Sequence, residues 1–124
     1  MTIKTSNPNF FMNAYLIQIN EKVFTIESTC ANNIKVILSS VLPAYDYPWR
    51  PGLEPWKKIA ALNEMIKTYS EKNGFLYLDY YSSMVDDRGG MINDYTYDGV
   101  HPNEAGYDVM EPLVEKAIEK VLND

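Results

Sequence analysis

The residues best suited to chemistry lie in the stretch from Tyr97 to Gly106, which contains the only histidine of the 124-residue chain, His101. A histidine side chain can exchange protons near neutral pH, so it can serve as a general base. Asp98 stands three positions earlier with Gly99 between, so its carboxylate can fold back onto the imidazole. Such a pairing fixes the tautomer of the ring and stabilises its protonated form, as in the base and orienting acid of a nucleophilic site.

An isolated Asp-x-x-His pair is more often a structural feature of a helix entry than a catalytic pair. Here the pair belongs to a longer pattern, Asp-Gly-Val-His-Pro-Asn, with Ala-Gly-Tyr following at residues 105–107. Pro102 and Asn103 indicate that a loop passes into a helix directly after the histidine. The longer pattern favours a functional pair over a purely structural one.

Two apolar runs predict the strands that would carry this site. Residues 34–42 and 75–80 are runs of β-branched, aliphatic and aromatic side chains, typical of strands buried on both faces of a parallel sheet. Between them, residues 55–72 predict an amphipathic helix that begins at a proline and ends at the Asn73-Gly74 capping signal. Strand, helix and strand in this order predict a right-handed βαβ unit with parallel strands.

The remaining elements are predicted from shorter signals. Apolar residues between positions 109 and 122 have helical spacing, and Pro112 is expected to start or kink the main part of that helix. Residues 86–90 predict a turn. Residues 15–26 predict a β-hairpin, with an irregular helix as the alternative.

The segment from residue 43 to residue 55 is rich in proline and aromatic side chains, and we call it the aromatic loop. Its prolines restrict its conformations, so it can present side chains to a ligand at a low cost in entropy. A long loop in a compact domain is usually either functional or disordered, and the aromatic content favours function. Tyr45, Tyr47, Trp49 and Arg50 are therefore predicted to bind substrate.

The predicted topology brings the two long loops together. Ligands bind outside the carboxyl ends of the strands in an open parallel sheet. The aromatic loop leaves the carboxyl end of one strand, and residues 80–101 leave that of the next. We therefore expect the Asp-His pair to lie near the aromatic loop and near Ser39 and Ser40, and Tyr97 joins the predicted substrate-binding residues.

The composition limits the class of protein. The chain is long enough for one small domain, and 46% hydrophobic with 23% charged residues is typical of a folded globular protein. A net charge of −6 argues against nucleic acid or an anionic membrane surface as a partner. Cys30 is the only cysteine, which excludes an internal disulfide, and a buried or incidental thiol is favoured over a nucleophile.

Targeting signals are weak in this sequence. No apolar run approaches the ~20 residues of a membrane span. The apolar stretch near residues 10–17 is interrupted by polar side chains and is not interpreted as a signal peptide. The default expectation is a cytoplasmic protein.

The Asp-Gly-Val-His-Pro-Asn block resembles the last sequence block of the SGNH (GDSL-type) serine esterases, and the likeness extends over about residues 32–122. This corresponds to the C-terminal half or more of such a domain. The resemblance implies a flavodoxin-like, three-layer αβα sandwich around a parallel sheet, with amphipathic helices. It further implies that His101 is the general base, that Asp98 orients it, and that the reaction is hydrolysis of acyl esters, often acetyl esters, of lipids, carbohydrates or small alcohols.

The sequence departs from the family pattern at the nucleophile. The family's serine lies in a Gly-Asp-Ser block after its first strand, and its oxyanion hole adds a Gly and an Asn from two further blocks. None of these blocks is present in the sequence, and residues 1–29 contain no glycine. Ser6 and Ser28 lack the required setting, and Ser39 and Ser40 follow a later strand, so no nucleophile is identified.

We therefore expect residues 1–31 to be an atypical N-terminal segment and residues 32–124 to be the C-terminal portion of a truncated or rearranged esterase domain. The first hypothesis is an ester hydrolase, acting on a small ester or an acylated carbohydrate, whose His/Asp half alone is inactive. The second is a non-catalytic module that binds carbohydrate or another ligand and forms a homodimer through an exposed sheet edge.

A metal site is the least favoured hypothesis. It would combine His101 with Asp98, Asp94 or Asp86, and this is poor ligand spacing for zinc. No metal or other cofactor is therefore expected.

Overall fold

The computed structural model describes residues 34–123, and the helices and strands among them lie in the compact unit that begins at Ile37. Strands β1 (Ile37–Ser39) and β2 (Leu76–Leu78) pair in parallel, with Leu38 opposite Tyr77. Helix α1 (Pro55–Asn73) connects them. The predicted parallel βαβ unit is confirmed, whereas the predicted hairpin at residues 15–26 and Cys30 lie outside the described residues.

The strands are shorter than their apolar runs, because the backbone finds other partners at the carboxyl end of β1. The Ser40 N–H still donates to the Leu78 carbonyl (2.9 Å), which extends the pairing by one bond. The Asn63 side chain then takes both backbone groups of Val41, accepting from its N–H at 2.7 Å and donating to its carbonyl at 2.9 Å. The backbone at Val41 is therefore bonded to helix α1 instead of continuing the strand.

The sequence predicts that both strands are buried on both faces. This prediction is wrong for the described residues of β1 and β2. Ile37 and Leu38 are half-buried, Ser39 is exposed, and only Leu78 of β2 is buried. Within the described part of the chain, each strand has one neighbouring strand, so its side chains are covered incompletely. The buried apolar core is formed instead by side chains from loops, helices and one strand: Ala44, Ile59, Leu78, Met84, Met91 and Ala117.

Helix α1 begins and ends where the sequence predicts. Pro55 is its first residue, and Gly74 ends it in the left-handed conformation (φ 73°), with its N–H bonded to the Ser70 carbonyl. On the predicted apolar face, only Ile59 is fully buried. Asn63 is buried beside it because it bonds to the backbone that follows β1.

Two short elements interrupt what the sequence predicts as one long connection. Helix α2 (Tyr81–Met84) follows β2 directly, and a 3₁₀ turn is formed by Asn93–Tyr95. Between them lies the predicted turn, in which the Asp86 N–H donates to the Gly90 carbonyl (2.8 Å). Elements of three or four residues carry no periodicity, so the apolar pattern gives no sign of them.

Helix α3 (Glu104–Leu122) begins earlier than its apolar pattern indicates. Asn103 caps it by accepting the Gly106 N–H (2.9 Å), and this cap sets the start. Pro112 therefore lies inside the helix; of the two expectations for it, a helix start is wrong, and a kink stays a prediction. Its side chain is exposed, as is Asp108 one turn earlier, so water can satisfy the carbonyl that lacks a donor. No described helix is long and apolar enough to span a bilayer.

Candidate active site

The Asp98 carboxylate folds back onto His101, as the spacing predicts. Oδ2 lies 2.6 Å from Nδ1 of His101, and Oδ1 accepts the backbone N–H groups of Val100 (2.9 Å) and His101 (2.7 Å). Gly99, in the left-handed region at φ 86°, allows the chain to reverse between the two side chains. We call residues 96–103 the Asp–His turn.

The hydrogen bonds of Asp98 determine its charge and the tautomer of His101. The backbone N–H of His101, followed by the bond from its ring, holds the pKa of the Asp98 carboxyl well below its usual range, although desolvation opposes this. The carboxylate is therefore ionised at neutral pH and can only accept hydrogen bonds. Nδ1 of His101 must then donate, which leaves Nε2 as the ring nitrogen able to accept a proton.

Thr96 holds the Asp–His turn closed, and sequence reasoning missed it. Its hydroxyl donates to the His101 carbonyl (2.6 Å) and accepts the Gly99 N–H (2.9 Å). Thr96 also pairs with Pro102 across the turn. A threonine two residues before an Asp-Gly turn is a recognisable signal for such side-chain-to-backbone bonding.

The Asp–His turn is anchored to the 3₁₀ turn and to helix α3. Asn103 donates its backbone N–H to the Tyr95 carbonyl (2.9 Å) and its side-chain amide to the Asp94 carbonyl (3.0 Å). Gly106 is buried against the same segment, where a Cβ would collide with the Tyr95 carbonyl oxygen. Asn103 and Gly106, which both belong to the sequence pattern around the histidine, therefore help to position His101.

The aromatic loop reaches the histidine, as the topology predicts. The ring of Trp49 lies 6.0 Å from the imidazole of His101, measured between centroids, and the ring of Tyr97 lies 6.1 Å from it and nearly parallel (13°). Tyr47 stacks on Trp49 at 5.3 Å. We call these four rings the aromatic column. Trp49 and Tyr97 are 63% and 73% exposed, so the column lies at the protein surface.

Asp46 fixes the outer part of the aromatic loop. Its carboxylate accepts the Tyr47 N–H (2.9 Å) and the Gly52 N–H (3.0–3.1 Å). The Arg50 N–H donates to the Tyr47 carbonyl (3.0 Å), so the predicted substrate-binding arginine lies in the same closed turn. Sequence reasoning missed the role of Asp46, although an aspartate before a Pro- and Gly-containing turn is a known signal.

Tyr45, another predicted substrate-binding residue, contacts side chains outside the aromatic column. Its ring stacks on Trp56 of helix α1 at 6.3 Å, and the Arg88 guanidinium lies 4.8 Å from the ring centroid. Arg88 also pairs with Asp86 (3.3 Å). These contacts connect the start of the aromatic loop to α1 and to the turn at residues 86–90.

Ser40 is engaged in the fold. It is 5% exposed, and its Oγ accepts the backbone N–H groups of Tyr80 (3.0 Å) and Tyr81 (2.9 Å), which lie at the start of α2. Ser39 is exposed on β1. Among residues 34–123, the ring of His101 has one hydrogen-bonded partner, Asp98, and no serine in that range is bonded to it. The described site therefore contains the hydrogen-bonded Asp98–His101 pair, with no described serine bonded to the imidazole.

The described residues also contain no group of three or more His, Cys, Asp or Glu side chains that could hold a metal ion. The carboxylate of Asp86, one of the residues considered for such a site, accepts the N–H groups of Arg88 (2.8 Å) and Gly90 (2.9 Å). The Asp86 carboxylate therefore stabilises the turn at residues 86–90 through these hydrogen bonds.

Comparisons with known proteins agree with the geometry. A model of the GDSL-like lipase/acylhydrolase family matches residues 8–109, so the match begins within the N-terminal segment that was expected to be atypical. A protein of Bacteroides fragilis assigned to the acylhydrolases is 45% identical, with a TM-score of 0.80 over 83% of this chain and 50% of its own. A GDSL-like lipase of Bacteroides thetaiotaomicron is 43% identical, with a TM-score of 0.77 over 82% and 50%.

A more distant structure supports the fold alone. The esterase domain of a zebrafish retrotransposon protein is 21% identical, with a TM-score of 0.69 over 85% of this chain and 59% of its own. A search of curated proteins found no match. The chain spans about half the length of the two Bacteroides structures. The predicted αβα fold class is confirmed, and the chain belongs to the GDSL-like lipase/acylhydrolase family.

Proposed function

We propose that this chain carries the acid–base half of a serine ester hydrolase, with His101 as general base and Asp98 as its orienting acid. The supporting observation is the 2.6 Å bond between Nδ1 of His101 and the ionised Asp98 carboxylate. This bond holds the ring with Nε2 available for proton transfer. In ester hydrolysis, such a base removes the proton of the nucleophilic hydroxyl and then donates it to the departing alcohol.

We further propose that the 124 residues do not supply the nucleophile or the oxyanion hole. The sequence contains no Gly-Asp-Ser block, and the buried Ser40 hydroxyl already accepts two backbone N–H groups. Loss of the nucleophile costs on the order of 10⁶ in turnover in a comparable triad. Loss of each oxyanion donor costs a further ~10²-fold or more. The chain alone is therefore expected to have negligible activity.

A direct assay tests the missing nucleophile. The 124-residue protein and its His101→Ala variant are each mixed with p-nitrophenyl acetate, and release of nitrophenol is followed. We expect both rates to equal that of an unrelated protein at the same concentration. Robust turnover that is lost in His101→Ala would contradict the proposal and would show that a serine of this chain acts as the nucleophile.

A second candidate function is a non-catalytic module that binds a ligand and self-associates. The exposed rings of Trp49 and Tyr97 favour ligand binding. Within the described residues, β1 and β2 form a two-stranded sheet, so each has one edge without a described partner strand. Such edges can pair with a second copy. Light scattering tests the homodimer, and a strictly monomeric protein over a wide concentration range would count against it.

A further inference from the structure

We propose that Trp49 and Tyr97 are positioning residues for the general base, and that they act on the imidazole of His101 before any substrate binds. Packed beside the ring, they keep its Nδ1 on the Asp98 carboxylate and leave its Nε2 available for proton transfer. The proposal rests on the function proposed above, because positioning matters only if His101 is a base. The observation that carries it is the pair of ring contacts on His101, at 6.0 and 6.1 Å between centroids.

The hydrogen bond to Asp98 is insufficient to fix the ring of His101. The side chain is 55% exposed, and among residues 34–123 its ring has this one hydrogen-bonded partner. Water competes for both members of an exposed charged pair, so such a pair holds its geometry weakly. An imidazole bonded at one nitrogen can also turn about its side-chain torsions. The orientation of the base therefore depends on what else contacts the ring.

The two aromatic rings supply the additional restraint. The ring of Tyr97 is nearly parallel to the imidazole (13°), and that of Trp49 is inclined to it by 39°. Both centroid distances lie within the range of about 4.5–7 Å over which aromatic rings attract one another. Rotation of the imidazole away from Asp98 would give up these contacts. The contacts therefore favour the orientation in which Nδ1 reaches the carboxylate.

The two rings are themselves held by different segments of the chain. Trp49 stacks on Tyr47 at 5.3 Å, and the Asp46 carboxylate closes the turn that carries both. Tyr97 lies inside the Asp–His turn, which the hydroxyl of Thr96 holds closed. The aromatic loop, which follows β1, thereby helps to orient a base that follows β2.

This role differs from the substrate contact that the sequence predicts for the same rings. A side chain that only binds substrate leaves the base unchanged in the free protein. A positioning residue affects the base in the free protein, without ester or nucleophile. The test therefore uses the 124-residue chain alone, and its result does not depend on whether that chain hydrolyses an ester.

The tautomer of His101 reports whether its ring is held on Asp98. As the only histidine of the chain, His101 gives one set of imidazole signals in a ¹H–¹⁵N spectrum, and the ¹⁵N shifts show which nitrogen carries the proton. Spectra are recorded at alkaline pH, where imidazole is neutral. The bond to Asp98 requires the proton on Nδ1, so we expect the Nδ1–H tautomer in the wild type. Trp49→Ala and Tyr97→Ala should each lower the ratio of Nδ1–H to Nε2–H by roughly twofold to tenfold.

Further variants separate positioning from a folding defect. Trp49→Phe and Tyr97→Phe keep a ring in place and should retain more of the wild-type tautomer ratio than the alanine variants. Tyr107→Ala is the matched control and should leave the ratio unchanged, since Tyr107 is 58% exposed on α3 and is not part of the aromatic column. The backbone N–H of His101 donates to Oδ1 of Asp98 (2.7 Å), and its hydrogen exchange should be unchanged in Trp49→Ala.

A wild-type tautomer ratio in both alanine variants would overturn the proposal. So would equal losses in the alanine and phenylalanine variants, or a loss in Trp49→Ala accompanied by faster exchange of the His101 amide, because either result would assign the effect to the fold. Ring-dependent positioning in a chain whose His101 serves no hydrolysis would remove the proposed function alone. Hydrolysis that requires His101, with a tautomer ratio unaffected by both rings, would remove the positioning role alone.

Discussion

Ser40 and His101 both lie in segments that leave the carboxyl ends of the parallel strands, Ser40 directly after β1 and His101 in the long connection after β2. Their side chains nevertheless have opposite environments. Ser40 is buried, and its hydroxyl accepts two backbone N–H groups that begin helix α2. The His101 side chain is 55% exposed and is held by one carboxylate at Nδ1. A reactive residue type near a strand end is therefore insufficient for a functional assignment. The environment decides whether its polar atoms are already committed to the fold.

The largest expected effect on stability comes from Gly106→Ala, which tests how the Asp–His turn is anchored. In an ordinary helix, this change stabilises by roughly 0.5–1 kcal/mol. Here the new Cβ would collide with the backbone oxygen of Tyr95, which cannot move as a side chain would. We expect the free energy of unfolding to fall by about 3 kcal/mol, as measured by urea denaturation.

Ala105→Ser is the matched control for that change, because Ala105 is exposed in the same helical turn. It should alter the free energy of unfolding by less than about 0.5 kcal/mol. A stabilising Gly106→Ala substitution would show that the turn does not pack on the 3₁₀ segment.

The next effect distinguishes Ser40 from His101 directly. Ser40→Ala removes the acceptor of the Tyr80 and Tyr81 N–H groups. We expect a loss of roughly 1–3 kcal/mol in the free energy of unfolding, because buried donors are left without a partner. His101→Ala should change that free energy by about 0.5 kcal/mol or less, since the side chain is exposed.

Ser39→Ala serves as the control for Ser40, because Ser39 is exposed on β1. If Ser40→Ala, His101→Ala and Ser39→Ala all lowered the free energy of unfolding by the same small amount, Ser40 would not have the structural role that distinguishes it from His101.

A smaller effect is expected from Thr96, which holds the Asp–His turn. Thr96→Val removes the hydroxyl that bonds to the His101 carbonyl and the Gly99 N–H, whereas Thr96→Ser keeps it. The valine variant should lose about 1 kcal/mol of stability, and the serine variant should lose less. Hydrogen exchange at the Gly99 amide should accelerate only in the valine variant. Identical exchange rates in the two variants would contradict the role given to the hydroxyl.

The smallest effect concerns the charge of Asp98. Its pKa is lowered in the folded protein, so it contributes stability that is present above the unfolded-state pKa of about 3.9. That contribution is lost as pH falls through the folded-state pKa. The difference in free energy of unfolding between wild type and Asp98→Asn should therefore shrink between pH 6 and pH 3. Asp87→Asn, at an exposed carboxylate in the turn at residues 86–90, is measured in parallel as the control.

The sequence predicts best what depends on neighbours along the chain. Pro55, Gly74 and Asn103 mark helix ends correctly because capping is local. The Asp98–His101 bond is predictable for the same reason, since three residues and a glycine bring the groups together. The convergence of Trp49 on His101 follows from topology, because both loops leave the carboxyl ends of parallel strands.

What the sequence misses depends on partners far along the chain. The strand after Ile37 ends early because Asn63, 22 positions after Val41, takes both backbone groups of that residue. Tyr45 contacts Trp56 and Arg88, whereas Tyr47, a tyrosine of the same loop, stacks on Trp49. No local pattern distinguishes such residues, because their surroundings are created by the fold.

The central claim is that His101 and Asp98 are a working base and orienting acid once a nucleophile is present. It is tested with a chimera of the Bacteroides thetaiotaomicron GDSL-like lipase. In the chimera, the half of the lipase that matches this chain is replaced by the matching residues of this chain. The chimera, its His101→Ala variant and the parent lipase are assayed together with p-nitrophenyl acetate. Tyr107→Ala in the chimera serves as the control.

We predict that the chimera hydrolyses the ester, that His101→Ala lowers its turnover by at least about 10³-fold, and that Tyr107→Ala leaves it unchanged. A chimera whose turnover is the same with and without His101 would contradict the account. So would an inactive chimera beside an active parent.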